Sequence, residues 1–315
     1  MPETLSLTGT IFVLIGVGYL AVRGGLLGPG AAGALGGYVA NLALPALIFA
    51  ALTTRPLGEV VDAGYLLAYG AGSLAVLGLG YGWSRASGYT AVASTFRAMG
   101  MSCANSGFIG YPVLMMALPA VAAPALALNM IVENLLLIPL VLALAEAARG
   151  GAGGGAGPIL RRLSRNPIIL ALVAGVAVSA AGVALPGLVA RSVGLLAQSS
   201  AAAALVAIGA SLAALPAEGA AGGRGLAGIA PVALGKLVLH PLAVLAGLGI
   251  AGRMGLAVAP DLAKAVVIMA ATPAMGIYPI LAGQYGEGRP AALAMLAMTV
   301  CAFATLNALL VILGP

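Results

Sequence analysis

A Tyr-Pro-[Val/Ile]-Leu core occurs twice in this chain, each time inside a long apolar run. Residues 105–114 read Asn-Ser-Gly-Phe-Ile-Gly-Tyr-Pro-Val-Leu, and residues 272–281 read Thr-Pro-Ala-Met-Gly-Ile-Tyr-Pro-Ile-Leu. A helix interior tolerates such stretches poorly, because Pro removes a backbone donor and Gly adds conformational freedom. The runs around them are too apolar for a soluble core. The chain is 62% hydrophobic and 7% charged, against about 25% charged in a typical soluble domain. Within a bilayer, backbone groups freed by a helix break survive only where protein or a water-filled cavity satisfies them. Paired Gly/Pro-interrupted spans at matching places in two halves point to the substrate site of a secondary transporter. The sequence therefore predicts an all-α membrane protein with two broken helices.

A span needs roughly 20 mainly apolar residues. Ten runs qualify: 6–22, 33–53, 61–83, 89–117, 121–145, 167–184, 188–214, 226–250, 262–285 and 290–313. The fourth and ninth carry the interruptions. Between the fifth and sixth lies the longest polar stretch, 146–166, with a Gly-rich run from Gly150 to Gly157. Its composition is that of a flexible linker. A phosphate-cradling loop would need a following Gly-Lys-[Ser/Thr], which is absent.

Charge sets the orientation. With the N-terminus outside, the inner loops and helix ends hold nine cations: Arg23, Arg85, Arg97, Arg149, Arg161, Arg162, Arg165, Arg224 and Arg289. The outer set holds four, Arg55, Arg191, Arg253 and Lys264, while Lys236 falls within a span. Lys and Arg concentrate in cytoplasmic loops, so both termini are expected outside and the linker inside. The same bias accounts for the net charge of +6 without nucleic acid as a partner. Residues 1–145 then form one five-helix repeat, 146–166 a cytoplasmic linker, and 167–315 a second repeat. An odd number of spans per repeat makes the second copy enter from the opposite side, so the repeats are inverted. Met1-Pro-Glu-Thr4 lacks the basic start of a signal peptide, and Cys103 and Cys301 offer neither a disulfide framework nor a metal cluster.

Three patterns in order resemble the auxin efflux carrier family, part of a bile acid/auxin-type inverted-repeat superfamily. Asn41-Leu-Ala-Leu-Pro-Ala-Leu-Ile-Phe49 looks like its second-span signature, and Arg165-Asn166-Pro167 like the opening of its second half. Asn105 followed by Gly110 and Pro112 looks like its fourth-span crossover. The resemblance covers essentially the whole chain. It implies a homodimeric carrier in which spans 1, 2, 6 and 7 form a scaffold. Spans 3–5 and 8–10 would form a transport domain that moves elevator-fashion, with spans 4 and 9 crossing at their breaks. The implied substrates are auxin in plants and small carboxylates such as malate or malonate in bacteria. Only about twenty residues stand where many plant exporters carry a long hydrophilic loop, and the Ala/Gly-rich composition is bacterial in character. The bacterial inner membrane is the expected location.

The polar residues inside the spans are the candidate site. Asn105 and Ser106 offer donors beside free half-helix N–H groups, which suit a carboxylate; Asn105 also fits a helix cap. Gly110 and Gly276 permit close backbone approach, and Pro112, Pro273 and Pro279 keep the helices broken. Thr272 aligns with Asn105. Tyr111 and Tyr278 either line the crossing or pack there. Glu133 is the one acid deep in a span, one turn from Asn129. It reads either as a proton or cation coupling site or as a carboxylate bonded to a neighbouring helix. Lys236 and His240 are likewise one turn apart. They could attract an anion or relay a proton; alternatively Lys236 snorkels and His240, bent by Pro241, bonds a freed carbonyl. Asn41 and Asn166 read as caps or glue of the scaffold. No cofactor is implied, and no nucleotide-binding motif exists, so a substrate, proton or sodium gradient, or membrane potential, must supply energy. A membrane enzyme would need a nucleophile with its base, or a metal set such as His-Glu-x-x-His, and one histidine argues against it. A channel formed at the paired breaks is the remaining alternative.

Overall fold

The computed structural model describes residues 2–28, 30–54, 61–149, 157, 161, 164–213 and 225–313. Most of the linker lies outside these residues, as do Arg55, Arg162 and Arg224. The described chain is all-helical apart from one isolated bridge. In order, α1 is Pro2–Arg23, α2 Ala31–Thr53, α3 Ala63–Ala86, α4 Ala91–Ser102, α5 Ser106–Ala117 and α6 Pro119–Ala148. The second half holds α7 Pro167–Ala180, α8 Gly187–Ala213, α9 Gly228–Arg253, α10 Pro260–Ala270, α11 Tyr278–Gly283 and α12 Gly288–Leu313. Six of these, α2, α3, α6, α8, α9 and α12, are long and apolar enough to cross a membrane. Shorter apolar helices accompany them at Val13–Arg23, Ser106–Ala117 and Pro167–Ala180. The chain is a multi-pass membrane protein.

Proline shapes the helices in a consistent way. Four π-helical turns occur among the described residues: Val39–Ala43, Ser106–Gly110, Glu133–Leu137 and Gly235–Leu239. Each ends two residues before a proline, at Pro45, Pro112, Pro139 and Pro241. A proline ring clashes with the carbonyl four residues back. One residue of extra winding moves that carbonyl aside and lets the helix continue. His240, expected to bend ahead of Pro241, instead keeps helical angles (φ −64°, ψ −51°), because the π turn before it has already absorbed the clash. Such turns gather at functional sites. Here they carry Asn41, Ser106, Glu133, Asn134 and Lys236.

Two helix pairs approach through glycine. A Cβ on Gly209 of α8 would collide with the Ile15 carbonyl of α1, and one on Gly18 of α1 with the Val206 carbonyl of α8. The α3–α9 pair repeats the device: a Cβ on Gly72 would sit 2.8 Å from Val244 N, and one on Gly247 2.6 Å from Ala68 O. Small residues let backbones pack closely where lipid gives no hydrophobic drive. Around these pairs, α2 packs on α7 and α8, and α3 on α4.

Candidate functional site

The two interrupted segments touch. α4 ends at Ser102, and Cys103 turns extended (φ −97°, ψ 129°). Ala104 then pairs antiparallel with Ala274, and Asn105 N donates to Pro273 O at 2.8 Å. Peptide groups freed by one break thus satisfy those freed by the other. Gly110 makes room for this: a Cβ there would strike Met269 Sδ, at the end of α10. Tyr111 and Tyr278 are buried, and Tyr278 lies against Gly100 of α4, where a Cβ would sit 2.8 Å from its hydroxyl. Pro279 stands in the first turn of α11, where helix resumes after the second break, whereas Pro112 lies inside α5, just after the π turn Ser106–Gly110.

Asn105 follows the bridge at the first break. Its Oδ1 accepts from Phe108 N at 3.2 Å, capping α5, while its side-chain amide nitrogen holds no hydrogen bond among the described residues. At 7% exposure it lines a cavity of about 470 Å³. Ser106, Gly276 and Glu133 share that wall, with Asn41, Asn134, Arg165 and Asn166. Asn166 caps α7 through Ile168 N and donates to Asn134 Oδ1 at 3.3 Å. Asn41 donates to Gly37 O at 2.9 Å. The Arg165 guanidinium has no hydrogen bond or ion pair among the described residues. Thr272 is fully buried, its hydroxyl donating to Met269 O at 2.9 Å, and it does not line the cavity. Gly110, Tyr111, Pro112, Pro273, Tyr278 and Pro279 also lie behind the wall, as framework.

Beneath the wall runs a buried polar column. Tyr65, Tyr69 and Ser73 follow one another by one turn on α3. Tyr65 donates to Asn129 Oδ1 at 2.7 Å and Tyr69 to Glu133 Oε1 at 2.7 Å; Ser73 meets His240 Nε2 at 2.8 Å. Asn129 Nδ2 donates to Ser106 Oγ at 3.0 Å, and Ser106 passes its proton toward Glu133 Oε1 at 3.2 Å. Ala104 N, in the first break, donates to the same oxygen at 2.9 Å. Glu133 is fully buried, and its Oε2 has no hydrogen-bond partner among the described residues. Lys236 does not snorkel. It is fully buried, with Nζ 2.6 Å from Ala270 O at the end of α10 and 2.7 Å from His240 Nδ1. When Lys236 donates to Nδ1, the neutral imidazole carries its proton on Nε2 and gives it to Ser73. Each of these two buried side chains therefore holds main chain at one break, Glu133 an N–H of the first and Lys236 a C=O of the second.

The chain matches the sequence profile of a family described as membrane transport protein over residues 9–150 and 157–311. It belongs to this family. It is also 30% identical, over 98% of its length and 96% of the relative's, to a Rhizobium meliloti (strain 1021) protein named "Putative malonate transporter". This member is thus a transporter rather than an enzyme, a multi-pass protein of the bacterial inner membrane. Among the described residues no group of three or more His, Cys, Asp or Glu side chains could hold a metal ion. Sequence reasoning passed over Tyr65, Tyr69 and Ser73, although their four-residue spacing repeats that of Asn129/Glu133 and Lys236/His240. It used Arg165 to orient the chain and in the Arg165-Asn166-Pro167 motif, not as a site residue.

Proposed function

We propose that this transporter is a secondary carrier of small organic anions, dicarboxylates such as malonate foremost. One carboxylate is held at Asn105 and the start of α5, and the other at Arg165. A single observation carries this reading: one cavity is lined by both the Asn105 amide, whose nitrogen holds no hydrogen bond among the described residues, and the Arg165 guanidinium, which holds none among them either. Free N–H groups at a helix start add positive potential. A volume of about 470 Å³ lies in the range of small-molecule sites. The name of the Rhizobium relative agrees with a dicarboxylate.

The membrane arrangement we infer has ten spans in two inverted five-helix repeats. The interrupted pairs α4–α5 and α10–α11 each count as one span and cross at their breaks; α1 and α7 complete the ten. Spans 1, 2, 6 and 7 (α1, α2, α7 and α8) form the scaffold, and the remaining helices the moving domain. The close α1–α8 and α3–α9 pairs, one in each body, support the division. Cavity residues come from both bodies, Asn41 and Arg165 from the scaffold side and Asn105 and Glu133 from the other. Motion of one body against the other would open and close the cavity, giving alternating access.

A thermal-shift screen of purified protein against mono- and dicarboxylates tests the substrate, because a ligand that binds the folded state raises its apparent stability. Malonate is expected to stabilise more than acetate. Arg165→Gln is expected to cost malonate about tenfold in affinity, one charge-assisted contact, and acetate little. Equal losses for both anions would remove Arg165 from the second-carboxylate role. Orientation is tested separately: a G153C variant lacking Cys103 and Cys301 is expected to resist an impermeant thiol reagent in intact cells. Ready labelling from outside would reverse the topology.

A further inference from the structure

We infer that Glu133 is a proton site inside the substrate cavity, and that a proton must sit on its Oε2 for the anion to bind. This rests on the cavity being the anion site. Glu133 and Asn105 line one cavity, so an ionised Glu133 would face the substrate's negative charge. Its two oxygens differ in a telling way. Oε1 accepts from Tyr69, Ala104 and Ser106, whereas Oε2 is buried with no partner. A charged carboxylate with one oxygen unsatisfied is costly to bury. A proton on Oε2 removes the charge and leaves the three bonds at Oε1 in place. A metal cation would need several oxygen ligands around it, whereas Oε2 has no hydrogen-bond partner among the described residues.

The surrounding charges give the sign of the coupling. The titratable groups facing Glu133 are Tyr65 and Tyr69 on α3, Cys103 before the π turn, and Lys236 on α9. Arg165 faces it from the α7 side of the cavity. With Glu133 ionised, its charge and that of Lys236 cancel. With Glu133 protonated, Lys236 remains as uncompensated positive potential behind the wall, which favours an anion. Proton and anion therefore assist each other's binding by the same factor, as linkage requires. The proton comes from water reaching the cavity and leaves by the same route when the anion does. Because Oε1 holds Ala104 N and Ser106 Oγ, the change in charge acts directly on the first break.

The test is calorimetric titration of the purified transporter with malonate. Over about pH 6.5–8.5, in two buffers of different ionisation enthalpy, binding is expected to take up as much as one proton per malonate. Affinity is expected to fall as pH rises, by up to about tenfold per unit. Glu133→Gln is expected to bind malonate with neither effect. Should that variant not fold, the wild-type proton count decides alone. Malonate binding with no proton uptake and pH-independent affinity overturns the inference while leaving the substrate reading intact. So does affinity governed by sodium instead of pH, or Glu133→Gln that keeps the wild-type linkage. Absence of malonate binding at every pH removes the substrate reading and this inference together.

Discussion

Asn105→Ala is expected to weaken malonate binding by roughly tenfold to a hundredfold, because a hydrogen bond to a charged group contributes about 1.5–3 kcal/mol. The side chain has two jobs that this substitution removes together, capping α5 through Oδ1 and facing the cavity with its amide nitrogen. Asn105→Asp separates them. Aspartate is as good a cap and is favoured at a helix start, so folding is expected to persist. It offers no donor and adds negative charge, so malonate binding is expected to fail. Thr272→Val, at the matching place in the second half, is expected to change affinity by less than about twofold, since that hydroxyl is committed to Met269 and lies behind the wall. Equilibrium binding to the monodisperse variants is the measurement. Undiminished affinity in both Asn105 variants would leave Asn105 as a cap only.

Lys236→Met carries the other large effect, on stability. Nζ satisfies the Ala270 carbonyl at the end of α10 and bonds His240 Nδ1, all in a fully buried setting. Methionine fills much of the space yet offers no donor. The carbonyl and the imidazole then lose that donor and keep only their own longer Nδ1···O contact of 3.2 Å, and Glu133 loses its buried counter-charge. Chemical unfolding in detergent is expected to show a loss of about 3 kcal/mol. A variant as stable as the wild type would mean that other groups hold the second break.

The sequence was most legible where backbone chemistry is strictest. The Gly/Pro-interrupted motifs lie beside the two places where regular helix is lost, 103–105 and 271–277, and those segments lie against each other in space. Pro279 follows its gap, whereas α5, like α6 and α9, runs on through its proline, Pro112, after a π turn. The other prolines misled in one respect. Pro139 and Pro241 look like breakers, but α6 and α9 run on through them because a π turn precedes each. Nothing in local propensity distinguishes a helix that breaks from one that adds a residue; packing on both sides decides. Among side chains, Glu133, Lys236, His240 and Asn129 stand out by isolation in apolar spans, and all four are buried, Lys236 against its snorkelling alternative. Their partners were harder to see, since a tyrosine or serine in an apolar span is unremarkable until the facing helix is known. Only the four-residue spacing of Tyr65, Tyr69 and Ser73 hinted at the column. The alignment of Thr272 with Asn105 indicated equivalent places in the two halves but not equivalent exposure. One faces the cavity and the other faces helix backbone.

Counterflow in proteoliposomes tests most directly the claim that this cavity carries small anions by alternating access. Vesicles containing the wild-type protein are loaded with unlabelled malonate and diluted into trace labelled malonate. A carrier predicts transient, saturable accumulation of label that requires internal malonate and collapses in Asn105→Ala. Label entry that is linear in concentration, indifferent to internal malonate and equal in the variant would contradict it, and would indicate a pore.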